Sequence, residues 1–170
     1  MKKSTLLILL FMVLLCGNSF SQKAVAEATF TYNITIQSSG NDPAAGNPLS
    51  GASLTVYVKG ALSRIDMGSN LGNEKTIHDA KTGTAVILKE YSGQKLMITL
   101  TKENWQEKNK RSDGITFTDQ AEKKQILGYP CTRATATMND GSVITVYYTK
   151  DMVVQNKEYN PLFSNLAGIP

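Results

Sequence analysis

The stretch "TATMNDGSVITVYYT", Thr135 to Thr149, decides the fold class. It reads as two strands joined by a tight Asn139-Asp140-Gly141 turn, because glycine tolerates the positive φ that such turns require. Outward from it the same alternation returns. In "TFTYNITI", Phe30, Tyr32, Ile34 and Ile36 fall on one side, and Thr29, Thr31, Asn33 and Thr35 on the other. Leu54, Val56 and Val58 of "SLTVYVK" share a side, as do Leu96, Ile98 and Leu100 of "QKLMITLT". A period of two marks half-buried strands. Glycine-centred turns in "VKGAL" and "YSGQ" return the chain after few residues, so the strands run antiparallel in a meander.

Each strand thus offers an aliphatic or aromatic face, which must be covered, and a face of Thr, Ser, Asn and Lys. Helix is scarce. Only "TKENWQEKNKR" reads as helical, with Thr101 as its N-cap and no apolar stripe behind it. One short helix cannot cover a broad sheet, so the sheet must curl into a barrel or half-barrel, or stack as a sandwich. "SSGNDPAAGNPLSG", Ser38 to Gly51, is a connection between strands rather than a domain linker. Residues 22–170 read as one β-rich domain without repeats. Its last segment, "YNPLFSNLAGIP", carries Leu162, Phe163, Leu166 and Ile169 in irregular, Pro-flanked chain, and we expect one or more further strands after Pro170.

The N-terminus sets the compartment. Lys2 and Lys3 precede an apolar run from Leu6 to Leu15, then small and polar residues. This is the layout of a secretory signal peptide, residues 1–21, and the run is too short to span a bilayer stably. Cys16 invites lipidation, but the residue before it, Leu15, is not small. Removing the leader takes Lys2 and Lys3 with it, so the net charge of +4 falls to about +2. The remaining basic residues are scattered, and no nucleic-acid footprint is visible. One cysteine then remains, Cys131, so no internal disulfide forms and the core holds by packing.

"KQILGYPCTRA" follows a Lys-x-Ile-x-Gly-Tyr-x-Cys-x-Arg-Ala arrangement from Lys124 to Ala134, with an Asp-Gly turn and "VYYTKDM" after it. This resembles an uncharacterised family of exported bacterial β-rich domains and its relatives named for a Gly-Leu-Pro-Gly-Leu-Ile segment. Leu166, Gly168 and Ile169 of "NLAGIP" keep part of that segment, with Ala167 in place of its proline. The resemblance is specific from Lys124 to Asp151 and looser upstream, in "KGALSRIDM" and "TIHDAKTGTAVIL". It implies a mainly β fold: a curved antiparallel sheet forming an incomplete, half-open barrel with one short helix, like the LolA and LolB lipoprotein carriers. Those carriers hold acyl chains inside a concave apolar sheet. The resemblance implies no catalytic residues.

Cys131 shares its parity with Arg133, Thr135 and Thr137, which aims it at the polar side unless Pro130 resets the strand by a bulge. A reactive thiol needs a lowered pKa, and Arg133 is the one nearby source; the plainer reading is a small buried hydrophobe. His78 stands beside Asp79 in what reads as an exposed turn. A Cys131–His78–Asp79 triad can be written down, but Asp79, next in the chain, is badly placed to orient the imidazole. One His and one Cys lack zinc-ligand spacing, and "DMGSNLGNE" (Asp66 to Glu74) reads as a hairpin turn rather than a calcium loop. No phosphate loop or other cofactor motif is present, and no cofactor is expected.

The expected function is therefore that of a non-enzymatic exported binding protein, periplasmic or associated with the outer membrane. Its concave apolar sheet takes a lipid-like ligand or an apolar partner segment. Candidate contacts are Tyr57, Tyr129 and Tyr147 on the strands, and Phe163 and Leu166 in the apolar C-terminal segment. The alternative is an envelope structural or assembly protein that pairs a sheet edge with a partner's strand. An enzyme using Cys131 is the third reading.

Overall fold

The computed structural model describes residues 22–33, 51–139 and 141–170. The predicted leader with Cys16, Ile34 and Ile36 of the predicted first strand, Ser38 to Ser50 and Asp140 lie outside the described residues. A short β1 (Lys23–Val25) precedes six strands in an antiparallel meander. These are β2 (Glu27–Asn33), β3 (Ser53–Lys59), β4 (Leu62–Ser69), β5 (Gly72–Asp79), β6 (Thr84–Tyr91) and β7 (Gln94–Leu100), hydrogen-bonded in that order. Gly60 and Gly93 turn the chain with φ of 56° and 78°, which is why both predicted turns need glycine.

Register follows the alternation read from sequence. One rank of side chains crosses the whole sheet: Phe30, Val56, Ile65, Thr76, Ile87 and Ile98 stand opposite one another in turn. A shift of one residue in any strand would turn its apolar set to the other face, so the pattern fixes the pairing. Val56, Val58 and Ile87 are buried on this face. Val154, Tyr159 and Ile169 pack on Val56 and Val58, with Val25, Phe30, Tyr32, Leu54, Ile65 and Met152 around them.

The only α-helix among the described residues, α1 (Lys102–Asn109), follows β7. The Thr101 hydroxyl accepts from the Asn104 amide at 3.3 Å, the cap expected for an exposed helix start. Trp105 is its one buried side chain. It stacks on His78 of β5, ring centroids 4.7 Å apart and planes at 18°. His78 is thus core, 2 % exposed, rather than part of an exposed turn. Its strand runs on to Asp79, and a tryptophan far along the chain comes back to cover it.

A smaller antiparallel sheet holds β8 (Thr118–Ile126), β9 (Tyr129–Thr137) and β10 (Val143–Thr149), in the order β10-β9-β8. The Met138–Ser142 turn joins β9 to β10, with Gly141 at φ 84°. Its core pairs Ala134, Tyr148 and Leu166 with Phe117, Val146 and Phe163. β11 (Met152–Val154) follows β10 and pairs with β1 in parallel, Lys23 opposite Met152 and Val25 opposite Val154. This is the exception to an all-antiparallel reading. The two strands are far apart in sequence, so no hairpin dictates their direction. Among the described residues the sheets do not close into a barrel, and no helix there is long and apolar enough to cross a membrane.

Candidate functional site

β2 begins the large sheet and β10 ends the small one, so among the described residues each borders a space with no further strand beside it, the isolated Thr149–Ile169 pair excepted. Between them lies a cleft of about 460 Å³. Phe30 and Tyr32 reach it from β2, Tyr129 and Cys131 from β9, and Tyr147 from β10; Met152 and Ile169 complete an apolar wall. Small-molecule sites commonly have roughly 300–1,000 Å³ and a lining of this kind.

The C-terminal segment fixes one side of the cleft. Thr149 and Ile169 exchange main-chain hydrogen bonds of 2.9 and 3.1 Å. The Tyr32 hydroxyl donates to the Pro170 carbonyl at 3.3 Å, tying β2 to the same segment. Gly168 makes this approach possible: a Cβ there would stand 1.8 Å from the Thr149 carbonyl oxygen. The apolar residues of this segment are used as packing. Leu166 is buried in the small sheet's core, and Phe163 meets the Phe117 ring at 6.1 Å.

Leu127, at the tip of the β8–β9 hairpin, forms the rim with Ile126. It is 92 % exposed and holds φ at 50°, followed by Gly128 at 84°. Two positive φ values make a turn that favours Asn-Gly, and a leucine in the left-handed region costs about 1–2 kcal/mol. A large apolar side chain thus sits strained and in water beside an apolar cleft. Sequence reading passed over it. The signal was there, as a Leu-Gly pair where a two-residue hairpin turn calls for Asn-Gly.

Polar groups flank the cleft on the small sheet. The Tyr147 hydroxyl donates to Glu122, which also accepts from Arg133 at 3.1 Å, while the Lys124 ammonium lies 5.7 Å from the Tyr147 ring centre. The bond from Tyr147 holds the Glu122 carboxyl below its ordinary value and pushes the phenol up. On the sheet's other face, opposite Ala134, Asp119 accepts from Tyr148 at 2.7 Å and Lys150 at 2.6 Å.

Of the residues predicted from sequence, Tyr129 and Tyr147 meet in the cleft; the others do not. Tyr57 belongs to the opposite face of the large sheet, under the Arg64 guanidinium at 5.3 Å, because alternation puts it out of step with Val56 and Val58. Phe163 and Leu166 serve the core. Cys131 keeps the parity of Arg133 and does not need a bulge at Pro130; the irregularity lies in β8, between Asp119 and Lys123. It is buried because this end of its face lines the cleft. Its thiol donates to the Tyr129 carbonyl at 3.6 Å, and burial pushes its pKa up, which disfavours the thiolate.

His78 meets Trp105 and, at 3.8 Å, the Glu158 carboxylate, while Asp79 accepts from the Lys81 amide at 2.8 Å. Cys131, His78 and Asp79 therefore have separate surroundings. Asp66 and Glu74 occupy opposite faces of the β4–β5 hairpin, Asp66 opposite Lys75 and Glu74 opposite Met67. Among the described residues no three His, Cys, Asp or Glu gather as metal ligands.

A second cavity, of about 230 Å³, lies against the same sheet face beneath α1, between Leu54, Ile65, Met67, Trp105 and Leu162. Leu54 stands opposite Tyr32, so neighbouring residues of one rank line the two spaces. No family model, curated protein or solved structure matches the chain.

Proposed function

We propose that this chain is an exported, non-enzymatic envelope protein that holds a lipid-like apolar ligand in the cleft between β2 and the β8–β9 hairpin. The observation that carries the reading is Leu127, strained and 92 % exposed at the rim of an apolar space. A ligand chain lying along Phe30, Tyr32 and Tyr129 would cover it and return the cost of its exposure. Tyr147, with Glu122 and Lys124, would meet the ligand's polar end. The half-open barrel of LolA-type carriers, with the large sheet as its wall, is the architecture we assign. The periplasm or the inner side of the outer membrane is the compartment that the N-terminal leader supports.

The test is mass spectrometry of lipid extracted from natively purified protein, with titration of a fluorescent fatty acid. Leu127→Asp should weaken uptake about tenfold or more, the loss expected when burial of one leucine is forfeited. Lipid-free protein that takes up no fatty acid would overturn the proposal.

A further inference from the structure

The large sheet has a second margin, β7, at the end away from the cleft, and among the described residues no strand pairs with its outer side. Met97 is 72 % exposed, and Leu96 and Ile98 flank it at 55 % and 40 %. The outer margin of the small sheet, β8, is a protected edge. β8 is exposed throughout, carries Asp119, Glu122, Lys123 and Lys124, and is broken by its irregularity between Asp119 and Lys123. Charges and bulges of this kind keep edges from pairing. β7 has neither a bulge nor a proline, and its one charge is Lys95.

The turn fixes which backbone groups point outward. Ser92 and Gly93, at φ 51° and 78°, form a two-residue loop closed by the Tyr91–Gln94 pair. That closing pair is hydrogen-bonded, and bonded and non-bonded pairs alternate from there. Leu96, Ile98 and Leu100 therefore bond to β6, whereas the amides and carbonyls of Lys95, Met97 and Thr99 face away from the sheet.

We infer that β7 pairs antiparallel with β7 of a second copy, about a two-fold axis at Met97. Met97 is the middle of Gln94–Leu100, so this register alone overlaps the whole strand. It sets Met97 opposite its counterpart, Leu96 opposite Ile98, and Lys95 opposite Thr99. Apolar side chains meet apolar ones, and no like charges face each other. Centring on Lys95 instead would set two ammonium groups opposite and leave half the strand unpaired. The three outward residues of each copy would share about six main-chain hydrogen bonds. The two large sheets would become one, with Ile98 and Leu96 continuing the apolar rank across the axis. One strand pair buries less than the roughly 1,200 Å² of a standard interface, so the association is weak and concentration-dependent.

Sedimentation velocity on the purified protein from about 1 µM to about 1 mM should show the average mass climbing towards that of a dimer. Met97→Pro removes an outward amide and leaves the β6 bonds alone, so it should hold the protein at monomer mass with an unchanged circular dichroism spectrum. Met97→Lys, a milder change to the backbone, should do the same by facing two charges. Thr99→Glu would sit opposite Lys95 and should tighten the dimer about threefold, an effect specific to this register. Leu127→Asp, in the cleft, should leave the dimer unchanged. A wild-type monomer throughout the range would overturn the inference. So would association that survives Met97→Pro and Met97→Lys, or a monomer whose β7 takes another envelope protein's strand.

Discussion

The two margins of the large sheet carry the same kind of side chain and meet different fates. Phe30 and Val56, near β2, lie in the same rank as Ile98 of β7. Val56 is completely buried under Val154, Tyr159 and Ile169, while Ile98 keeps 40 % of its surface exposed. An alternating sequence states that a strand has an apolar face. It does not state who covers it, because cover comes from segments distant in the chain. Here the C-terminal segment reaches the β2 side and α1 stacks Trp105 on His78, and the rank is left less covered towards Ile98.

Four measurements sharpen or break that contrast. The largest effect belongs to Gly168→Ala, which drives a Cβ into the Thr149 carbonyl. It should cost about 3 kcal/mol in urea unfolding, since rigid backbone cannot yield, and it should uncover the β2 side. Val56→Ala should cost about 2 kcal/mol, because a filled site cannot collapse fully around the loss.

The third measurement concerns His78. Burial lowers its pKa below the ordinary 6.5, against a weaker opposite pull from Glu158 and then Asp79. The neutral ring is what folds, so its contribution is complete above pH 6.5 and is lost as pH falls below that value through the lowered folded pKa. One proton limits the slope in that window to at most about 1.4 kcal/mol per pH unit. Asp119 and Glu122, whose pKa values are also lowered, act in a separate window further down the acid range. Phe in place of His78 should flatten the slope just below pH 6.5 and leave the lower window intact. The smallest effect is expected from Ile98→Ala, under about 1 kcal/mol, because little burial is lost. A cost equal to that of Val56→Ala would mean that the β7 side is covered after all.

Strand positions, glycine turns, the helix with its Thr101 cap and the face assignments of Phe30, Val56 and Leu96 were legible in sequence, since each rests on local periodicity or local φ demands. Tyr129 and Tyr147 were legible as cleft residues through their place on the "GYPC" and "VYYT" strands. The burial of His78 was not, because it depends on Trp105, and polarity alone suggested a turn. Tyr57 was misassigned although its alternation with Val56 and Val58 already put it on the other face. Phe163 and Leu166 read as ligand contacts because apolar chain without regular structure hides its packing partner. The parallel β1–β11 pair left no signature in either short segment.

That pair has a consequence for timing. Lys23 to Val25 are among the earliest of the described residues to leave the ribosome, yet their partners, Met152 to Val154, are among the last. The meander can form hairpin by hairpin as it emerges, whereas the clasp between first and last strands closes only after nearly the whole chain is free, at the loop-closure cost of that separation. Until then the polypeptide remains threadable, as the export proposed above would require.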